Sequence, residues 1–169
     1  NLGKKVVVVQ GLGFVGAVMS LVCANALAEE YAVIGIDLNT EKCIKRINDL
    51  NNGCFPLVAD DPKIEIFYQN SRAKGNFYAT TDPVAFEFAD VIIVDINLDV
   101  KKSNNKDLSL NSFSVNLENF SNAITTLGKF CKSDALIIVE TTVPPGTCEN
   151  VVKPTLLEEF SKRNLDSKS

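Results

Sequence analysis

Short runs of consecutive apolar residues alternate along this chain with longer segments in which apolar residues recur at helical spacing. The unbroken runs predict buried strands, and they occupy residues 6–10, 33–37, 77–80, 91–94 and 136–139. The periodic segments predict helices, and they occupy residues 14 to about 29, 40–50, 112 or 114 to about 130, and 147 to about 160. Unbroken apolar strands that alternate with helices are typical of a parallel sheet covered on both faces. The pattern therefore predicts an α/β domain with a doubly wound parallel sheet.

The remaining segments are less regular. Within residues 54–76, the sequence Asp60-Asp61-Pro62 is typical of a helix start and predicts a short helix after it. Asp82 and Pro83 predict a capped segment that runs through Phe88. The polar residues 101–111 predict an exposed loop.

The turn after the first predicted strand carries three glycines. Residues 11–16 have the sequence Gly-Leu-Gly-Phe-Val-Gly, and Gln10 alone separates them from four valines. A strand, a GxGxxG turn and a helix in this order form a backbone cradle for the pyrophosphate of a dinucleotide. Gly11 permits the tight turn, Gly13 lets a phosphate approach bare backbone, and Gly16 lets the helix pack close to the strand. An ordinary strand-to-helix turn is the alternative interpretation of the same glycines.

The second predicted strand ends on an acid, Asp37. A carboxylate in this position accepts hydrogen bonds from the ribose hydroxyls of the adenosine half and repels a 2′-phosphate, so we expect NAD to bind more tightly than NADP. Asp37 lies 26 positions after Gly11, where about 20 is usual, and the first helix is therefore expected to be somewhat long. Alternatively, or in addition, Asp37 caps the helical segment that begins near Asn39.

Composition narrows the classes of protein that remain. The 169 residues suffice for one domain of ordinary size, and no apolar stretch approaches the roughly 20 residues of a membrane span. A net charge of −4 gives no sign of binding to nucleic acid or to an anionic membrane. Histidine is absent, which removes the usual zinc ligand sets and the commonest general base, so we expect no metal site. The odd count of five cysteines and the lack of an export signal favour a reducing cytoplasm.

A second motif follows the last predicted strand. Residues 141–147 have the sequence Thr-Thr-Val-Pro-Pro-Gly-Thr, which resembles the Ser/Thr-Thr-Val-Pro-Pro-Gly-Thr pattern of the UDP-glucose/GDP-mannose (UDP-N-acetylmannosamine) dehydrogenase family. Residues 11–16 are similar to that family's GxGYVG, and residues 33–37 to its second strand, with Lys42 where a basic residue is common. Residues 80–82 and 107–109 resemble its Thr-Ser/Thr-Asp and Asp-Leu-Ser. The resemblance extends from residue 4 to about residue 160.

This resemblance implies a Rossmann-type NAD-binding domain over residues 1–169, the amino-terminal half of a longer enzyme. That enzyme would oxidise the 6-hydroxyl of a UDP-sugar to the carboxylate in two NAD-dependent steps. The half beyond this chain would supply the sugar site, the catalytic cysteine and the contacts of a homodimer, so the chain alone is expected to be inactive. The resemblance further implies that the hydroxyl of Thr142 holds a water near the reacting carbon. The candidate cofactor-binding residues are Gly11, Leu12, Gly13, Phe14, Val15, Gly16, Asp37, Leu38, Lys42, Ile96, Asn97, Thr141 and Thr142.

Two segments depart from the family pattern. Residues 96–99, Ile-Asn-Leu-Asp, stand where the family has Val-Asn/Pro-Thr-Pro, and residues 55–62 replace its Pro-x-x-Glu-Pro-Gly-Leu. Two alternatives stay open: another NAD(P)-dependent dehydrogenase, of the 6-phosphogluconate or 3-hydroxyacid type, and a dinucleotide-sensing module without chemistry of its own. Glu140, at the end of a predicted strand, could face a cationic nicotinamide or be a solvated or salt-bridged acid.

Overall fold

A five-stranded parallel sheet is the centre of the domain in the computed structural model, which describes residues 3–58, 60–98, 100–101 and 114–165. The strands are β1 (Lys5–Gln10), β2 (Tyr31–Ile36), β3 (Phe77–Thr80), β4 (Val91–Val94), β5 (Val100–Lys101), β6 (Ser114–Val115) and β7 (Leu136–Val139). Strands β5 and β6 form a separate antiparallel pair, and the others lie in the order β3-β2-β1-β4-β7. The predicted parallel sheet is confirmed, since every pairing in it is parallel.

Helices connect the strands and pack on the sheet. They are α1 (Phe14–Ala24), α2 (Glu41–Asn52), α3 (Pro62–Lys74), α4 (Glu118–Phe130) and α5 (Lys153–Lys162). A 3₁₀ segment spans Pro83–Phe88, and a wide π-helical turn, Cys148–Val152, leads into α5. As predicted, Asp61 and Asp82 cap the segments that they precede, because their side chains accept hydrogen bonds from backbone amides two residues further on.

Helix α1 is shorter than the sequence predicts, ending at Ala24 instead of near residue 29. The next residue, Asn25, is buried, and its Nδ2 donates to the carbonyl oxygens of Leu21 at 2.8 Å and Phe67 at 2.9 Å. These bonds fix the end of α1 against α3. Residues 27–30 are exposed, so a further helical turn would bury no apolar surface. The long interval between Gly11 and Asp37 is therefore filled by an exposed turn and not by a longer helix.

Two other helices also differ from the prediction. Helix α3 has 13 residues, longer than predicted, because it buries Tyr68, whose hydroxyl donates to the carbonyl oxygen of Leu50 at 2.7 Å. Helix α4 starts only at Glu118, with Leu117 as its N-cap residue, and the backbone of Ser114 pairs in β6. Oδ1 of Asn116 instead accepts a hydrogen bond from the Glu118 amide at 2.8 Å. Ser112 and nearly all of the predicted loop at 101–111 lie outside the described residues.

The core lies on both faces of the sheet. Val8 of β1 belongs to the same buried cluster as Phe120 of α4, whereas its neighbours Val7 and Val9 belong to a cluster with Ala24 of α1. Alternate side chains of β1 are thus buried on opposite faces, which explains why this strand is apolar throughout. Among the described residues, no helix combines the length and the apolar character that crossing a membrane requires.

Candidate functional site

Four strand ends meet at one edge of the sheet. The pairing register brings the last residues of β1, β2, β4 and β7 level with one another. The residues that follow them directly are Gly11, Asp37, Asp95 and Glu140. Ligands of open parallel sheets bind in a crevice at this carboxyl edge.

The glycine loop after β1 folds back tightly against the end of β4. Gly11 has a φ of +96°, and a Cβ at this position would overlap the carbonyl oxygen of Asp95. A Cβ at Gly16 would overlap the carbonyl oxygen of Gly11 and would lie 3.0 Å from Oδ2 of Asp95. Both positions therefore exclude a side chain, whatever the loop binds.

The first turn of α1 faces open space. Gly13 is its N-cap residue and has no side chain with which to cap the helix, and a Cβ on Gly13 would meet nothing within 4 Å. The first amides of a helix lack partners within that helix, and its dipole places partial positive charge there. The side chains of Phe14 and Val15 are each 50% exposed on this turn. Bare backbone beside such amides fits an anionic group, a diphosphate for example.

Leu12 joins the loop to the end of β2. Its side chain is fully buried and covers Gly35, where a Cβ would lie 2.5 Å from Cδ2 of Leu12. Its amide donates a hydrogen bond to Oδ2 of Asp37 at 3.3 Å. Leu12 therefore faces the core with its side chain and positions Asp37 with its backbone.

Asp37 lies beside the glycine loop and already has several hydrogen-bond donors. Its Oδ2 accepts from Nη1 of Arg46 at 2.8 Å, and its Oδ1 accepts from the amide of Leu38 at 2.8 Å. The Asp37 and Arg46 side chains are 10% and 17% exposed, so the ion pair is largely shielded from water. The interpretation of Asp37 as the helix cap is wrong, because the side chain of Thr40 caps α2 by accepting from the Cys43 amide.

Arg46 is a residue that the sequence interpretation missed. It lies on α2 next to Ile47. Ile47 and Leu50 form the buried stripe of that helix. A cation beside the buried stripe of an amphipathic helix indicates an anionic partner, and this was the available signal. Leu38 and Lys42, which the sequence does indicate, are both exposed on the segment that follows Asp37.

A buried hydroxyl joins the ends of β4 and β7. Oγ1 of Thr141 donates to the carbonyl oxygen of Val94 at 3.2 Å and accepts from the amide of Ile96 at 2.7 Å. Thr141 is only 7% exposed, so these bonds are shielded and fix both backbones. The residues that follow on the two strands, Asn97 and Thr142, are exposed and are therefore accessible to a ligand.

Two carboxyl groups occupy a poorly solvated part of the same edge. Burial raises the pKa of Asp95, although a hydrogen bond from the Gly16 amide opposes the shift. Burial also raises the pKa of Glu140, and the negative charge of Asp95 raises it further. Oε2 of Glu140 is buried and has no hydrogen-bond partner within the described part of the chain. This oxygen of Glu140 is therefore not solvated, whereas one of the alternatives from sequence was that Glu140 is a solvated acid.

Known proteins match this chain along nearly its whole length. The sequence profile of the UDP-glucose/GDP-mannose dehydrogenase family, NAD binding domain, matches residues 4–168. GDP-mannose 6-dehydrogenase from Pseudomonas putida is 35% identical over 153 residues, which cover 89% of this chain and 31% of that protein. UDP-N-acetyl-D-mannosamine dehydrogenase from Methanocaldococcus jannaschii is 29% identical over 154 residues, which cover 90% of this chain and 31% of that protein. The chain thus spans about a third of the length of these curated relatives.

Solved structures of similar enzymes share the fold. The crystal structure of NDP-N-acetyl-D-galactosaminuronic acid dehydrogenase from Methanosarcina mazei matches with a TM-score of 0.77 and 28% identity, over 94% of this chain and 32% of that chain. A ternary complex of GDP-mannose dehydrogenase from Pseudomonas aeruginosa matches with a TM-score of 0.73 and 28% identity, over 92% of this chain and 32% of that chain. Together with the family profile, these matches decide against a dehydrogenase of the 6-phosphogluconate or 3-hydroxyacid type.

Proposed function

We propose that this chain, which belongs to the UDP-glucose/GDP-mannose dehydrogenase family, is the NAD-binding part of an enzyme that oxidises the 6-hydroxyl of a nucleotide sugar to a carboxylate in two NAD-dependent steps. The observation that carries this proposal is the open backbone at Gly13, where α1 begins, with the Asp37 carboxylate beside the same loop. The relatives are named for GDP-mannose and for UDP-N-acetyl-D-mannosamine. The substrate class that we propose is therefore a nucleoside-diphosphate sugar, with a UDP-sugar as the expectation from sequence.

The residues of the crevice fit NAD at three points. The diphosphate would bind over Gly13, against the amides of the first turn of α1. The ribose of the adenosine half would bind at Asp37, whose carboxylate oxygens accept hydrogen bonds from hydroxyl groups. The nicotinamide end would extend toward Asn97 and Thr142, at the ends of β4 and β7. Bound in this way, NAD supplies the hydride acceptor for both oxidations.

The chain's own residues would hold and orient the reactants. Thr141 keeps the ends of β4 and β7 in place through its two hydrogen bonds. The exposed hydroxyl of Thr142 would hold a water close to the reacting carbon. We assign the nucleophilic cysteine, the sugar site and the homodimer contacts to the part of the enzyme beyond this chain. The chain by itself would therefore bind NAD without oxidising a sugar.

Calorimetric titration of the chain with NAD tests the binding site. Gly13→Ala adds a methyl group where the structure has open space, so the variant should fold. The methyl group would hold the diphosphate away from the backbone, and we expect the Kd for NAD to rise by about tenfold or more, or about 1.4 kcal/mol.

Gly75→Ala is the matched control. Gly75 has a φ of +59° at the end of α3, just before β3, and it therefore lies at the opposite edge of the sheet from the crevice. Alanine strains the backbone there without touching the site, so NAD should bind as it does to the original chain. Absence of NAD binding, or equal losses in the two variants, would contradict the proposed site. Steady NADH production from the chain with UDP-glucose or UDP-N-acetylmannosamine would contradict the assignment of the catalytic groups to the missing part.

A further inference from the structure

The proposed ribose site contains an ion pair, not a lone carboxylate. Nη1 of Arg46 lies 2.8 Å from Oδ2 of Asp37, the same oxygen that accepts from the Leu12 amide. Helix α2 holds Arg46 in a defined place, because Thr40 caps its start and the adjacent Ile47 is buried. The guanidinium is therefore a fixed part of the corner formed by the glycine loop and the end of β2.

This pairing changes the charge that a cofactor meets. A lone carboxylate repels a 2′-phosphate, which carries close to two negative charges near neutral pH. In the pair, the guanidinium offsets the charge of Asp37, and the low exposure of both side chains limits screening by water. Arginine has five N–H donors in a planar fork suited to phosphate, and one of them is bonded to Asp37 here. An acid at this strand end suits NAD and a nearby arginine accommodates NADP, and this chain holds both groups in contact.

We propose that Arg46 sets how strongly this domain distinguishes NAD from NADP. The inference rests on the proposed function, since it assumes that the adenosine ribose binds at Asp37. By pairing with Asp37, Arg46 weakens the repulsion of the 2′-phosphate, so NADP binds within about tenfold of NAD, which remains the preferred cofactor. Without Arg46, the same carboxylate would reject NADP strongly.

Calorimetric titration with each of the two cofactors measures this selectivity directly. Arg46→Leu should raise the ratio of the NADP Kd to the NAD Kd by about tenfold or more, because a unit charge about 5 Å from a doubly charged phosphate has roughly this effect even in water. Lys45→Leu is the matched control, because it removes the same charge from an exposed neighbour on α2. Arg46→Lys keeps the positive charge and should leave the ratio within about threefold of the original.

The outcomes separate the selectivity proposal from the binding proposal. If the original chain binds neither cofactor, the proposed function itself fails. If it binds NAD but Arg46→Leu changes the ratio by less than threefold, or if Lys45→Leu changes the ratio as much, the role of Arg46 is refuted. An arginine with a merely structural role would alter both affinities together and leave the ratio unchanged. Circular dichroism checks folding, and Arg46→Gln, which is also uncharged, replaces Arg46→Leu if that variant does not fold.

Discussion

Replacement of Gly16 by alanine should destabilise the domain because the added methyl group has no room. The new Cβ would overlap the backbone carbonyl oxygen of Gly11 and would lie 3.0 Å from Oδ2 of Asp95. Inserted methyl groups in packed interiors usually cost 1–3 kcal/mol, and a backbone atom cannot move aside as a flexible side chain can, so we expect about 3 kcal/mol. For a domain of this size, that loss lowers the melting temperature by roughly 6 to 12 °C.

Thermal and urea unfolding of the apo chain, followed by circular dichroism, would measure this loss. Gly13→Ala is the matched variant in the same loop, since a Cβ there meets nothing within 4 Å. Gly13→Ala should lower the free energy of unfolding by about 1 kcal/mol or less, because its only effect is that alanine is a poorer N-cap residue than glycine. Equal destabilisation of the two variants, or a loss below about 1 kcal/mol for Gly16→Ala, would refute the claim that the approach of α1 to β1 excludes a side chain.

Two further predictions concern the ends of β4 and β7. Thr141→Val should destabilise the domain by about 1–3 kcal/mol in urea unfolding, because the Ile96 amide loses its hydrogen-bond acceptor, whereas the Val94 carbonyl keeps the amides of Glu140 and Thr141. Thr142→Val at an exposed position should change stability by under about 0.5 kcal/mol, and equal effects of the two substitutions would contradict the bridging role of Thr141. The raised pKa of Glu140 means that the folded state holds its proton more tightly than the unfolded state, so stability is lost as the pH rises through the folded pKa. Glu140→Gln should therefore be more stable than the original chain at pH 8, with a smaller difference at pH 4. Glu87→Gln, at an exposed site, is the control. Lower stability of Glu140→Gln than of the original chain at pH 8 would contradict this prediction.

The strands of the main sheet were predictable because their burial leaves an unbroken signal. Strands β3, β4 and β7 have the predicted bounds, whereas β1 starts one residue earlier than predicted and β2 starts two residues and ends one residue earlier. The inner strands β1 and β4 are buried on both faces, so their residues are apolar almost without interruption. The edge strand β7 is equally apolar, but it is not buried as predicted, because Leu136 and Ile138 are exposed. The glycine loop was predictable for a different reason, because its three glycines recur at a short fixed spacing and Gly16 packs on Gly11, although Gly11 itself packs on the distant Asp95.

Helix ends and long-range polar contacts were less predictable because they depend on distant residues. The end of α1 is fixed by a bond from Asn25 to the carbonyl oxygen of Phe67, and Ser114 is taken into β6 by its pairing with Lys101. Propensity near either residue contains no information about those partners. Arg46 is an intermediate case, since helical spacing places it beside the buried stripe of α2, but only the fold brings it to Asp37.

The electrostatics of the site also combine features set by neighbouring residues with features set by distant ones. A net charge of −4 gives no hint of an anion site, yet the first turn of α1 presents bare backbone beside Gly13. Net charge acts through a solvent that screens beyond about 8 Å, whereas amides and a helix dipole act within a single turn. The groups that would bind a diphosphate are therefore all contained in one short segment of the sequence. The contact of Arg46 with Asp37, which would adjust selectivity, needs only the turn that folds α2 back beside the end of β2, since the two residues are nine positions apart. The effect of Asp95 on Glu140 arises only because the strand order places β7 next to β4.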